Sequence, residues 1–309
     1  MEVPQLIEGV LSGDRRAVAR AISLVEDGDP ALEALSAAIY PSTGRAATIG
    51  VTGAPGVGKS TLAAALVARA RAEGRRVAVL AVDPTSPYTG GALLGDRVRM
   101  QAHATDPDVF IRSMATRGHL GGMALAAPEA VRILDAAGHD LVIVETVGVG
   151  QAEVDVAAAT DTALVVLAPG LGDAVQMAKA GILEVADVFV VNKADREGAD
   201  QVARDLRQML HLWEARAWDP PVVSTTATTA EGVDDLWNVI EAHRGWSTDS
   251  GQWEAKRRDR LLAEVGALAA ERSRRRAAAA LGADAALAAD LAARRIDPYA
   301  AAARLLGDG

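Results

Sequence analysis

Gly53-Ala54-Pro55-Gly56-Val57-Gly58-Lys59-Ser60 sets the reading of the whole chain. Two glycines separated by four residues and followed by Lys and Ser fit a phosphate-binding loop. The flanks agree, since Thr48 to Thr52 reads as a buried strand and Thr61 to Glu73 as an Ala-rich helix. In that setting the glycines let the backbone curl until successive N–H groups point at phosphates, and the helix N-terminus adds its positive dipole end. Lys59 is expected to reach the terminal phosphates as a point charge. Ser60 is expected to offer its hydroxyl to Mg2+, with Thr61 beside it in the same site.

Working outward, lysine is scarce: of 32 Lys and Arg residues, only those at 59, 179, 193 and 256 are Lys. Where a chain writes its positive charge as Arg, a retained Lys marks a place for a compact ammonium rather than a planar guanidinium. The 309 residues, 50% of them hydrophobic, suffice for one substantial core with helical additions. No apolar run reaches about 18 residues, so no membrane span is expected. Met1-Glu2-Val3-Pro4-Gln5 lacks the basic and apolar segments of a secretory signal. The chain has no Cys, which excludes disulfides and thiolate metal sites and fits a cytoplasmic protein. A net charge of −9 disfavours a general nucleic-acid binder.

Seven apolar stretches read as strands: Thr48 to Thr52, Val77 to Val82, Val109 to Met114, Leu141 to Val144, Thr162 to Leu167, Val188 to Val191 and Val222 to Ser224. Helices fill most of the gaps, which predicts an α/β fold with a largely parallel sheet flanked by helices and ligand loops at the carboxyl ends of its strands. Before it, residues 1–45 form a helical extension, with apolar positions such as Val18, Ile22 and Val25 at helical spacing and a break at Pro41-Ser42-Thr43-Gly44. This extension is expected to pack on the domain.

Further motifs fall at strand ends. Asp83 ends the second strand, where an acid is placed to hold Mg2+ through water or to orient an attacking water, and Asp96 follows in the Gly-rich loop 84–100. Glu145-Thr146-Val147-Gly148 has the shape of the metal-side D-x-x-G motif with Glu in place of Asp, and the Gly148 N–H is expected at the γ-phosphate. Asn192-Lys193-Ala194-Asp195 follows another strand as N-K-x-D, and there the base is specified. A carboxylate at Asp195 accepts from both the ring N1–H and the exocyclic amine of guanine, neither of which adenine offers. Asn192 is one of two Asn in the chain, and the Lys193 stem is expected along the base plane. Ser224-Thr225-Thr226 suits a backbone contact to guanine O6. These residues together predict a P-loop GTPase domain over 46–245, binding GTP and GDP with Mg2+.

All five Trp, at 213, 218, 237, 246 and 253, lie beyond the base motif and are expected to pack between the C-terminal arm and the domain rather than to form a stacking platform. Residues 246–309 read as an Ala- and Arg-rich helical arm. Leu261, Val265 and Leu268 share one helical face there, a narrow apolar stripe that suggests a dimer contact.

The stretches Val82 to Ser86, Gly90 to Arg97, Val144 to Gln151 and Gln176 to Gly181 resemble the MeaB/MMAA family, also called ArgK. The resemblance runs from about Leu6 to Gly245. It implies a homodimeric GTPase chaperone that protects adenosylcobalamin-dependent methylmalonyl-CoA mutase and gates its cofactor loading. By the same resemblance, Lys59 and Ser60 would bind phosphate and Mg2+, and Asp83, Asp96 and Glu145 would surround metal and attacking water. Ala168 to Lys179 would be a switch signalling to the mutase. From the residues themselves, Lys179, one of four Lys and placed after the Gly-rich loop Pro169 to Gly172, is expected to complete the site.

Three rivals share parts of this pattern. A nickel-type metallochaperone GTPase would need soft or imidazole ligands, yet Cys is absent and His103, His119, His139, His211 and His243 show no close pairing. A transport-type protein kinase would leave the γ-phosphate on a protein. A targeting GTPase would want a Met-rich groove, and the six Met are scattered.

Overall fold

The computed structural model describes residues 2–83, 103, 105–115, 122–146, 152–170, 182–212 and 216–306. Contacts divide the chain into two units, Met1–Arg260 and Leu261–Gly309.

Strands β1 (Ala47–Thr52), β2 (Val77–Asp83), β3 (Val109–Ala115), β4 (Leu141–Thr146), β5 (Thr162–Leu167), β6 (Val188–Asn192) and β7 (Val222–Thr225) form one sheet in the order β3-β2-β4-β1-β5-β6-β7. Every pairing is parallel. β1, β4, β5 and β6 are buried along their whole length, the result of apolar runs covered on both faces. Strand order reverses around β1, which pairs β4 on one side and β5 on the other, so the sequence following β1 starts at the topological switch point where α/β sheets bind ligands.

On one face lie α1 (Val3–Leu11), α2 (Arg15–Asp27), α3 (Ala31–Ile39), α5 (Gly122–Ala136) and α6 (Ala152–Ala158), whose buried side chains Val10, Ile22, Leu35, Ile39, Ile133 and Val156 join Leu80, Val142 and Val144 of the sheet. The N-terminal extension therefore packs on the domain. Asp14 caps α2 by accepting from the Ala17 N–H at 2.8 Å, and Arg15 donates to the Val109 carbonyl at 2.7 Å. Against the other face pack α4 (Lys59–Ala72) and α8 (Val233–Asp249), with Leu62, Leu66, Leu236 and Trp237 on Ile49, Val51, Ile143 and Val166. Helix α7 (Ala199–Leu210) covers β5 and β6 through Ala203 and Leu206.

The described Trp residues pack on protein, but Trp237 does so inside the nucleotide domain rather than between domain and arm. Trp237 is 1% exposed, with the Arg75 guanidinium 4.9 Å from its ring. Trp218 and Trp246 lie against buried His243, and Trp253 packs under Arg257. Trp213 lies outside the described residues.

At the amino ends of the strands, buried Asp161 and half-buried Asp187 hold the start of α9 (Gln252–Ala283). Asp161 accepts from Arg257 at 2.7 Å and from Arg260, and it also accepts from the Thr48 N–H at 3.0 Å. Asp187 accepts from Lys256 at 2.9 Å and from the Ala163 N–H at 2.8 Å, with His243 Nε2 at 3.4 Å. Burial pushes the Asp161 pKa up, but the Arg257 hydrogen bond and the charges of Arg260 and Arg257 outweigh it and the net shift is downward. Asp187 is lowered in the same way, by His243 and Lys256 against burial.

Within the second unit, α10 (Ala285–Ala292) is capped by Asp284 and buries Leu287, while α11 (Pro298–Leu306) buries Ala301. Leu261, Leu262, Val265 and Leu268 are exposed. In the basic run, Arg274 and Arg275 pair with Glu271 at 2.8 and 2.6 Å.

Candidate functional site

The loop after β1 turns on three glycines, Gly53 at φ 139°, Gly56 at φ 80° and Gly58 at φ 100°, values that side chains resist. A Cβ at Gly53 would sit 2.2 Å from the Val166 carbonyl oxygen, and one at Gly58 would sit 2.4 Å from Asn192 Nδ2. The loop is thus pressed against β5 on one side and the N-K-x-D segment on the other. Lys59 opens α4 and is buried, its ammonium donating to the Gly53 and Ala54 carbonyls at 2.7 and 3.2 Å. The charge is held over the loop that is expected to cradle phosphate.

Ser60 Oγ donates to Glu145 Oε1 at 2.5 Å across the space between α4 and β4. Glu145 is 1% exposed, and a carboxylate so placed is costly unless hydrogen-bonded or bound to a cation. A serine hydroxyl and a carboxylate are the hard oxygen donors that suit Mg2+. The register pairing Ala81 with Glu145 puts Asp83 on the adjacent strand at the same end of the sheet. The Asp83 side chain, Asp96, Gly148 and Lys179 lie outside the described residues, as do Val149 and most of the proposed switch Ala168 to Lys179.

The base motif is built onto the phosphate loop. Asn192 is 2% exposed, and its Nδ2 donates to the Val57 carbonyl at 2.9 Å. Its Oδ1 accepts from Thr225 Oγ1 at 3.2 Å and from the Ala227 N–H at 3.1 Å. Lys193, at φ 59°, donates from Nζ to the Gly56 carbonyl at 2.6 Å. Asp195 follows on an exposed turn, with its carboxylate in no hydrogen bond or ion pair among the described residues. Ser224 is exposed, whereas Thr225 and Thr226 are buried, with the Thr225 carbonyl accepting from Ala194 N–H and the Thr226 N–H donating to Glu231.

Sequence reading missed Ala227, whose apolar side chain gives no sign that its backbone N–H reaches the base motif. It also passed over Thr52 and Thr146, residues 0% and 1% exposed whose hydroxyls have no hydrogen-bond partner among the described residues. Their signal was a threonine at the carboxyl end of each of two largely apolar strands.

A parallel sheet with a Gly-Lys-Ser loop at its switch point and an Asn-Lys-x-Asp segment bound to that loop defines the class: a P-loop guanine-nucleotide-binding protein. The family model described as "Methylmalonyl Co-A mutase-associated GTPase MeaB" matches residues 18–281. The chain belongs to that family of GTPases. It is 50% identical over 304 residues to a putative GTPase of Pyrococcus horikoshii, covering 97% of this chain and 96% of the relative. It is 40% identical over 265 residues to the GTPase ArgK of Escherichia coli (83% and 80% covered). A Caenorhabditis elegans protein named methylmalonic aciduria type A homolog, mitochondrial, is 36% identical over 281 residues (84% and 70% covered). A solved structure named "LAO/AO transport system kinase" superposes with a TM-score of 0.71 at 27% identity, covering 99% of this chain and 97% of the other. Among the described residues, no helix is long and apolar enough to cross a membrane.

Proposed function

We propose that this protein hydrolyses GTP to GDP and phosphate, and that it uses the cycle as a cytoplasmic chaperone of adenosylcobalamin-dependent methylmalonyl-CoA mutase, protecting the enzyme and gating its cofactor loading. The observation that carries the nucleotide part is Asn192, whose amide joins the Val57 carbonyl of the phosphate loop to the β7 loop. That brace fixes Asp195 relative to the phosphates. The mutase part is supported by the family description and by the name of the C. elegans relative.

In this reading the loop 53–58 binds phosphate through its N–H groups, and Lys59 exchanges its two carbonyl partners for phosphate oxygens. Ser60 and Glu145 would hold Mg2+, with Asp83 and Asp96 beside them. A bound Mg2+ neutralises charge developing on the phosphates. Gly148 contacts the γ-phosphate, Asp195 reads guanine, and Asn192, Lys193 and the 224–226 segment shape the base pocket. Lys179 enters the site when the partner docks. Functionally the chain divides into the extension 1–45, the nucleotide domain that begins at 46, and a C-terminal arm through which the protein forms a homodimer.

One experiment separates this from a kinase activity, the activity for which the similar solved structure is named. Incubation of the protein and mutase with γ-labelled GTP should release free labelled phosphate. Label retained on either protein would overturn the proposal.

A further inference from the structure

The buried threonines near the strand ends are not alike. Thr48 Oγ1 accepts from the Asp161 N–H at 2.8 Å, and Thr162 Oγ1 is bonded to His243 Nδ1 at 2.9 Å, both at the amino end of the sheet. Thr52 and Thr146 sit at the carboxyl end, and among the described residues the hydroxyl of neither has a protein partner. That hydroxyl is the whole polar capacity of the side chain, so nothing else on the residue compensates.

Their placement is specific. The β1–β4 register that pairs Gly50 with Val144 and Val51 with Glu145 brings Thr52 beside Thr146 at its next step. Side chains alternate along a strand. Val51 and Ile143 pack on the α4 face, to which Glu145 also turns to meet Ser60. Val142 and Val144 pack on the opposite face, where a Cβ on Gly50 would meet Val156 and Thr160. Thr52 and Thr146 share that opposite face. One directly precedes Gly53 and the other directly follows Glu145.

We infer that Thr52 and Thr146 are positioning residues for the metal end of the nucleotide site, bridged to each other by one internal water. The inference rests on the phosphate-loop reading above. Valine would fill nearly the same volume on a face where Val142, Val144 and Val156 already pack, so packing alone gives no reason for the hydroxyls. Buried waters are held by otherwise unsatisfied polar groups. A water spanning these two ties the end of β1 to the end of β4 and so fixes the separation of Ser60 and Glu145. It acts from the face opposite the phosphates and touches neither metal nor nucleotide.

The test compares Thr52→Val, Thr146→Val and the double variant with Thr52→Ser and Thr146→Ser. Three readouts are taken: Mg2+ dependence of calorimetric binding of a nonhydrolysable GTP analogue, single-turnover hydrolysis, and Tm without ligand. Supporting groups behind metal ligands typically change metal affinity or activity by about 10-fold or more. The double Val variant should therefore need about tenfold more Mg2+ for half-maximal binding and hydrolyse about tenfold more slowly, while both Ser variants match wild type. Val variants with unchanged Mg2+ dependence overturn the inference, as do Ser variants that fail alongside them. A Val variant that loses Tm without any change in Mg2+ dependence shows a packing role and overturns it too. Wild type that binds no analogue would defeat the phosphate-loop reading itself, whereas normal wild-type binding with unaffected variants defeats only the present inference.

Discussion

The side-chain amide of Asn192 donates to the Val57 carbonyl at 2.9 Å and so joins two motifs 135 residues apart in sequence. The same amide oxygen takes the Thr225 hydroxyl and the Ala227 N–H, so one buried residue locks the phosphate loop, β6 and the β7 loop together. Replacing Asn192 with Ala leaves several buried donors and acceptors unmatched, each costing about 1–3 kcal/mol. The expected outcome is loss of both GTP and GDP affinity together with a lower Tm. Calorimetric titration with each nucleotide checks this, and a variant with normal affinity for both would show that the brace does not shape the site.

Asp195 should act on base choice rather than on folding, because its carboxylate is exposed. Asp195→Asn exchanges an acceptor for a donor at the guanine edge. GTP binding should weaken by about 2–4 kcal/mol while xanthosine triphosphate binding improves. Competition binding with the two nucleotides measures the switch, and unchanged GTP affinity would remove the guanine assignment.

All seven strands were legible in the sequence because a parallel sheet covered on both faces writes itself as short apolar runs bounded by turns, as in Leu141 to Val144 and Val188 to Val191. The motif residues were legible because their chemistry resides in their side chains. What stayed hidden depends on backbone or on register. Ala227 works through an N–H that any residue carries. Asp161 and Asp187 read as ordinary acids at strand starts, and only the fold reveals that they meet Lys256, Arg257 and Arg260 about 70 to 100 positions later. Thr52 and Thr146 acquire meaning only once β1 and β4 lie side by side.

Hydrolysis should be slow in the isolated protein. Val149 occupies the position after Gly148 where many small GTPases carry a water-positioning Gln, and valine cannot hydrogen-bond water. A single-turnover rate on the order of 10⁻⁴ to 10⁻² s⁻¹ is expected, rising tens-fold or more with the mutase. Lys179→Ala should keep the basal rate and lose the stimulation. Fast turnover of wild type alone would refute the argument from Val149, and full stimulation of the variant would refute the role of Lys179.

Acid should loosen the clasp at the start of α9. Asp161 and Asp187 both have native pKa values below the ordinary one, so the unfolded chain binds protons more readily than the folded one. Their contribution is present in full well above the unfolded value, about 3.9, and is lost as pH falls through the lower native values. Tm measured from pH 6 to about 3 should fall less steeply for Asp161→Asn than for wild type, from a lower starting point. Parallel acid limbs would mean that Asp161 is not titrating with unfolding.

The same clasp determines where the arm can be removed. The first compact unit runs through Arg260, and Lys256, Arg257 and Arg260 supply the cations for Asp161 and Asp187. A cut after Trp253 deletes all three and strands Asp161, whose side chain is 2% exposed, with no cation. Breaking a buried pair by removing one partner costs about 3–5 kcal/mol, a large share of the stability of a single domain. A cut after Arg260 keeps the pairs and removes the exposed stripe Leu261, Leu262, Val265 and Leu268. Truncation after Arg260 should therefore give a folded, GTP-binding monomer. Truncation after Trp253 should give a protein with a Tm lower by about 6 °C or more. Sedimentation and thermal unfolding of the two truncations decide both points. A dimer persisting after the Arg260 cut would place the subunit contact outside the arm, and equal Tm values would show that the clasp adds nothing to the stability of the nucleotide domain.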